Sequence, residues 1–343
     1  VIKAGINLLT PILIGENPIE QETIWFNMYR KTLDFARRGV LAASISAIDL
    51  ALWDLKGKAL DLPVSTLLGG QHRSRVIPYA TGLYFSKTDQ LAEKLAAEAQ
   101  GYIEQGFKAI KMKVGLGIKA DYENVKRMRE VIGEDIELMV DSNHAYTFRE
   151  ALALAKKIEP FNISWFEEPI SPEFYKQYSE LRNKTTIPIS GGECEYLRFG
   201  FHQLLRNNSV DIIQPDICGS GGLTEAKRIA TLASTYGVDV IPHTWGTSIG
   251  IHVALHFISN LESIPGRILS ILPMIILGSL IFSNEYNASN TSLPAFLLDS
   301  TSSFETIFSA ICCEICSTKV LNISFTSKLY LLIIGKIVSI INS

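Results

Sequence analysis

The chain has 343 residues, 47% of them hydrophobic, and a formal net charge of −3, which is enough length and apolar content for one large domain or two ordinary ones. The near-neutral balance gives no electrostatic case for nucleic acid or an anionic membrane, and no charged-then-apolar leader opens the chain. Five cysteines without a paired CxxC…CxxC spacing argue against a zinc site and for a reducing, cytoplasmic setting.

The first predicted element is a long, mostly buried helix from Ala42 to Leu60, closed by the turn Asp61-Leu62-Pro63 and followed by Leu68-Gly69-Gly70. Residues 1–75 therefore read as a helical subdomain. From Val76 onward short β-rich runs alternate with amphipathic stretches. Strands are expected at 76–80, 109–114, 137–141, 163–167, 187–191, 211–216 and 238–242. Helical patterns lie between them, as at Gln90 to Glu104 and Leu223 to Tyr236. Strand–helix–strand alternation means parallel pairing with right-handed crossovers. Seven such strands over 76–262 predict a (β/α)₈ barrel, incomplete by one strand, with a doubly wound sheet as the alternative.

The active site of such a barrel sits at the carboxyl ends of its strands. There the runs lead to Lys111 and Lys113, Asp141, Glu167 (with Glu168), Glu193, Asp216 and His243. Asp141, Glu167 and Glu193 are spaced one βα unit apart, so three adjacent strands each offer one oxygen ligand. A hard cation such as Mg²⁺ suits that set and relieves the cost of burying the acids. Lys111 and Lys113 flank Met112, which puts both ammoniums on one face of a strand. Buried together near a metal, each is expected to have a depressed pKa, making one of them a usable base. Asp216 and His243 are again one βα unit apart, and the carboxylate would fix the imidazole's tautomer. Alone, His243 would read as a core histidine. Gly219, Gly221 and Gly222 precede a helix and read as a tight turn rather than a phosphate cradle, since no P-loop lysine follows. His144, just past Asp141, is a candidate substrate contact. Cys194 and Cys218 read as small packing residues. No GxSxG nucleophile elbow is present.

As a set these motifs resemble the enolase superfamily, specifically its mandelate racemase group. Lys111-Met112-Lys113 is similar to the family's KxK. Asp141-Ser142-Asn143, Glu167-Glu168-Pro169 and Gly192-Glu193 resemble its three metal-ligand motifs. Asp216 and His243 resemble its His–Asp pair, and Leu50 to Lys58 matches the helix ahead of its barrel. The resemblance covers roughly residues 8–262. It implies an α+β capping domain before the barrel and a Mg²⁺ cofactor on Asp141, Glu167 and Glu193. It also implies a substrate carboxylate bound by Mg²⁺ and Lys111, with Asn143 touching substrate. A base, Lys113 or His243, would remove the proton next to that carboxylate, giving a metal-stabilised enediolate. The phrases Asp141 to Tyr146 and Gly191 to Tyr196 look most like those of sugar-acid dehydratases, which implies a 2-keto-3-deoxy acid product. A racemase or epimerase using the same two bases is the alternative. The expected partner is a small sugar acid, with no nucleic acid or membrane, and relatives tend to form homo-oligomers.

Two departures from the family are expected. Val1 begins after most of the three-stranded sheet that carries the family's lid. After Leu261 no eighth strand is legible. Charged residues thin out by about half after residue 264, and residues 263–343 form an apolar, Ser/Asn-rich tail, as in a shifted reading frame or a fusion. Its runs Ile268 to Phe282 and Leu329 to Ile341 are too short to span a bilayer. A catalytically inactive remnant is the corresponding non-enzymatic reading.

Overall fold

The structure, a computed structural model, describes residues 1–88, 90–262, 271–275 and 286–287. The tail cysteines Cys312, Cys313 and Cys316 and the run Leu329 to Ile341 lie outside the described residues. Helices α1 (Ile2–Leu13), α2 (Gln21–Lys31), α3 (Val40–Leu60) and α4 (Val64–Leu67) come first. Then strands and helices alternate: β1 (Arg75–Thr81), α5 (Leu91–Glu104), β2 (Ala109–Lys113), α6 (Ile118–Ile132), β3 (Glu137–Asp141) and α7 (Phe148–Ile158). There follow β4 (Ile163–Glu167), α8 (Tyr175–Arg182), β5 (Ile189–Gly191), α9 (Leu197–Arg206) and β6 (Ile212–Ile213). The series ends with α10 (Gly222–Tyr236), β7 (Asp239–Val240), α11 (Ser248–Asn260), β8 (Ile271–Ile275) and β9 (Tyr286–Asn287).

All seven expected strands form where their apolar runs are, because a strand buried on both faces needs a nearly continuous apolar sequence. The strand order is β7-β6-β5-β4-β3-β2-β1-β8, with β9 antiparallel on β1. Every neighbour on the main path is parallel. A doubly wound sheet reverses its order at a switch point. Here the order is strictly sequential, and β8 returns to the far side of β1, which is the wrap-around of a barrel.

The eighth strand corrects the expectation that none follows Leu261. Ile271 to Ile275 pairs with Ile77 to Thr81. It escaped notice because Pro273 interrupts the run. Among the described residues β8 pairs with β1 alone, and at such an edge the missing proline N–H is tolerated. Among the described residues β7 and β8 do not pair, so the barrel is incomplete.

Three apolar clusters organise the molecule. The largest lies between the strands and their outer helices, with Met112, Val140 and Phe166 among its members. A second joins α1, α2 and α3 through Leu9, Ile24, Trp25, Met28 and Ile45. The third fills the barrel interior with Tyr79, Ala109, Met139, Trp165, Ile212 and Ile241.

The helical subdomain docks on the start of α10, and that contact explains the glycines before it. α10 begins at Gly221 and Gly222, with φ of +117° and +82°, and has no capping side chain of its own. Caps come from α3 instead. Asp49 accepts from the Thr224 backbone N–H at 2.9 Å and from its hydroxyl at 2.5 Å. Ser46 Oγ accepts from the Gly221 N–H at 2.7 Å. A Cβ at Gly222 would collide with the Asp49 carboxylate. The positive helix end is thus filled by an aspartate of the same chain.

Burial pushes the Asp49 carboxyl up to about 7, against the hydrogen bonds from Thr224. A raised carboxyl pKa means that its contribution to stability is full below about pH 4 and is lost as pH rises towards 7. Asp49→Asn keeps an acceptor and cannot ionise. Relative to the parent it should gain at least about 1.4 kcal/mol, one pKa unit's worth, between pH 5 and pH 8. Urea midpoints at the two pH values test this, and an unchanged difference would refute it.

Candidate active site

The barrel interior rises in layers because inward-facing residues recur every second position. Ala109, Met139, Trp165, Ile212 and Ile241 form an apolar floor with Tyr79, whose ring meets Trp165 edge-on at 5.5 Å. Two residues nearer the carboxyl end in each strand come Lys111, Asp141, Glu167, Gln214 and His243. One change of layer converts a dry floor into a charged mouth.

The structure brings Lys111, Asp141 and Glu167 into one knot. Lys111 Nζ is 2.5 Å from Glu167 Oε1 and 3.3 Å from Asp141 Oδ2, and all three residues are buried. Lys113 Nζ reaches Asp141 Oδ2 at 2.5 Å and Asn143 Oδ1 at 2.6 Å. Asn143 donates to Glu193 Oε1 at 3.4 Å. Gly192, with φ of +130°, makes the turn that delivers Glu193, and a Cβ there would press on Phe201. His243 Nδ1 lies 2.8 Å from Asp216 Oδ2, and its Nε2 lies 3.2 Å from Glu193 Oε2.

Charges in this knot govern one another. Burial works to raise Asp141, but Lys111 and Lys113 overcome it and hold the carboxyl at about 2. Burial raises Glu167 and Glu193, and the neighbouring carboxylates add to it. Lys111 departs from expectation. Burial works to lower its pKa, yet Glu167 and Asp141 lift it well above the ordinary lysine value. A cation held between two anions does not become a base. Lys113, by contrast, lines the open cavity.

Asp141, Glu167 and Glu193 present oxygen donors from three consecutive strands, with more negative charge than burial favours, and this donor set fits a hard divalent cation. Their ligand atoms do not form a tight group, because Lys111 stands between Asp141 and Glu167 and His243 is drawn to Glu193. Among the described residues the group whose three ligand atoms all lie within 4.8 Å is His144, Glu168 and Cys194. His144 Nδ1 is 2.8 Å from Glu168 Oε2, and that carboxylate raises the imidazole pKa. His144 is therefore turned towards Glu168 and is not among the residues lining the main cavity. Cys194 and Cys218, read as packing residues, are both exposed and not in a disulfide, because they follow strand ends into the mouth loops.

Sequence reasoning passed over several site residues. Trp165 Nε1 and Gln214 Nε2 both donate to Glu167 Oε2, at 3.0 and 2.8 Å. The signal was available: Trp165 stands two positions before Glu167, and Gln214 two before Asp216. Tyr84, Phe85 and Trp245 line the cavity of about 570 Å³ that also contains Lys113, Glu193 and His243. Such a volume suits a small metabolite.

A sequential parallel barrel with cations on its second strand and carboxylates on the next three defines a class of barrel enzyme. The chain belongs to the enolase superfamily, within its mandelate racemase group. The family model "Mandelate racemase / muconate lactonizing enzyme, N-terminal domain" matches residues 2–69, and "Enolase C-terminal domain-like" matches residues 94–282, across β8. The chain is 56% identical to the crystal structure of the 3,6-anhydro-D-galactonate cycloisomerase from Zobellia galactanivorans, with a TM-score of 0.76, covering 81% of this chain and 76% of that one. It is 41% identical over 262 residues to D-galactarolactone cycloisomerase of Agrobacterium fabrum, which is 76% of this chain and 69% of that protein. It is 40% identical over 257 residues to arabinonate dehydratase of Saccharolobus solfataricus, 75% of this chain and 68% of that protein. No helix among the described residues is long and apolar enough to cross a membrane.

Removing Lys111 leaves Glu167 buried without its nearest cation and Asp141 with Lys113 as its cationic partner. Lys111→Met should therefore cost about 3–5 kcal/mol of stability in EDTA. Added Mg²⁺ should restore part of that loss if the carboxylates hold it. Urea unfolding with and without Mg²⁺ checks both statements, and a loss below about 1 kcal/mol would show that the knot is not structural.

Proposed function

We propose that this chain catalyses β-elimination from a sugar acid. The proton on the carbon next to the carboxylate is removed, the oxygen on the following carbon departs, and the enol tautomerises to a 2-keto-3-deoxy acid. The observation that carries this reading is that Lys113 and His243 enter one cavity from β2 and from the end of β7, beside three carboxylates and Lys111.

Lys111, fixed and cationic, would bind the substrate carboxylate, with Asn143 beside it. Lys113 and His243 would divide proton removal and proton delivery to the leaving oxygen, and Asp216 would hold His243 through Nδ1. Asp141, Glu167 and Glu193 would hold Mg²⁺, whose contribution there is stabilisation of the negative charge that develops on the substrate carboxylate. A general base supplies only about 10²–10⁴-fold, and enzymes typically reach at least about 10⁶. The fixed cationic environment is therefore asked for the remainder.

Dehydratase and cycloisomerase relatives suggest the same bond changes with different leaving groups. From an open-chain acid the β-hydroxyl leaves as water. From a ring ether the β-oxygen stays tethered, and the product is an isomer of the substrate. Both kinds of relative therefore support β-elimination.

With Mg²⁺, a screen of sugar acids for keto-acid product should identify a substrate. EDTA should abolish turnover, and Lys113→Ala and His243→Asn should each lower kcat at least about 10²-fold. A stereoisomer without keto acid would establish the racemase alternative. No turnover of any sugar acid would sink the β-elimination reading.

A further inference from the structure

Three large aromatic side chains stand exposed around the cavity mouth: Tyr84 at 40%, Phe85 at 42% and Trp245 at 58%. Tyr84 and Phe85 follow β1, and Trp245 follows β7. Tyr84 and Trp245 meet edge to face at 6.1 Å, joining the two loops above the place where β7 and β8 do not pair. Lys113 Nζ lies 5.9 Å from the Tyr84 ring centre. The three rings and Lys113 line the same cavity, so a substrate at Lys113 has this wall beside it.

The wall presents rings to the substrate beside Lys113. An open-chain sugar acid bears a hydroxyl on nearly every carbon, and hydroxyls buried against rings lose water without gaining partners. Closing an ether between the third and sixth carbons of a six-carbon acid removes two of those hydroxyls and turns C–H bonds outward. The positive edges of C–H bonds suit the negative faces of aromatic rings.

We propose that Tyr84, Phe85 and Trp245 form an apolar subsite that seats the ring of an anhydro sugar acid and selects ring-ether substrates over open-chain ones. The inference rests on the β-elimination reading for its chemistry and names the substrate class. The reaction breaks the C–H bond at the second carbon and the ring C–O bond at the third. One proton passes to the enzyme's base, one reaches the ring oxygen, and no atom is lost. The same product arises from the open-chain acid with release of water, so one keto-acid assay reads both substrates.

The test compares 3,6-anhydro-D-galactonate with D-galactonate, using the parent protein, Trp245→Ala, Tyr84→Ala and the conservative Trp245→Phe. The parent should prefer the cyclic acid. Trp245→Ala and Tyr84→Ala should lower kcat/KM for it by about 10–200-fold, mainly through KM. Their kcat/KM for the open-chain acid should fall less than for the cyclic acid, so that the ratio between the two substrates collapses, and Trp245→Phe should keep most of the selectivity. Variants that lose both substrates equally, or neither, would overturn the subsite while leaving β-elimination intact. So would a parent that prefers D-galactonate. Binding to the parent in EDTA, followed by calorimetry, separates the remaining case. If neither acid is converted but the cyclic one binds more tightly, and Trp245→Ala abolishes that preference, the subsite stands and the reaction reading falls. Equal binding of both acids would overturn the subsite as well.

Discussion

Asp141 and Glu167 are carried out of water by the strands that hold them, and Lys111 makes that burial tolerable. An ionised carboxylate in the interior costs several kcal/mol unless it is paired and hydrogen-bonded. Lys111 sits within 3.3 Å of both acids, and Trp165 and Gln214 satisfy the far oxygen of Glu167. Much of the site depends on this balance. Lys113 reaches Asp141 from the cavity side, and Lys111 reaches it from below. The two lysines are chemically identical and two residues apart, and depth along the barrel gives them different surroundings.

The floor beneath the knot matters as much as the knot. Tyr79, Trp165 and Met139 close the barrel below the charged layer, so the ammonium and carboxylates meet in a medium that screens them weakly. The Tyr79 ring is 5.9 Å from Lys111 Nζ and adds its face to the cation's environment. A wet barrel would weaken each of these attractions.

Residues whose meaning is local were legible in the sequence. Seven strands announced themselves as apolar runs, six of them leading to a charged residue or a histidine, and period two placed Lys111 and Lys113 on one face. Features that depend on the meeting of distant segments were not legible. Asp49 looks like a polar interruption in a buried helix until α10 is seen to begin against it. Tyr84 and Trp245 lie far apart in sequence and become neighbours only when β1 and β7 curl towards each other. The depressed pKa expected for Lys111 was for a site holding a metal; beside the free carboxylates that β3 and β4 bring, its pKa is raised instead. β8 was hidden by Pro273 and by a run without a polar end, the feature that marked most of the other strands.

The helical subdomain touches the chemistry without entering the cavity. Asp49 and Ser46 fix the first turn of α10, and Trp25 donates to the Gly221 carbonyl at 2.7 Å. Immediately before that turn, the Gly219 N–H donates to Asp216 Oδ1 at 3.1 Å, and the Ser220 N–H donates to the Asp216 carbonyl at 2.7 Å. Asp216 in turn holds His243. Hydrogen bonds at either end of the glycine turn, joined by its backbone, therefore link α3 to the imidazole. Loosening Asp49 would displace Asp216 before it disturbed Lys111, whose partners lie on β3 and β4. The two sides of the cavity thus depend on different parts of the fold: Lys113 on the barrel strands, and His243 on the docking of the subdomain.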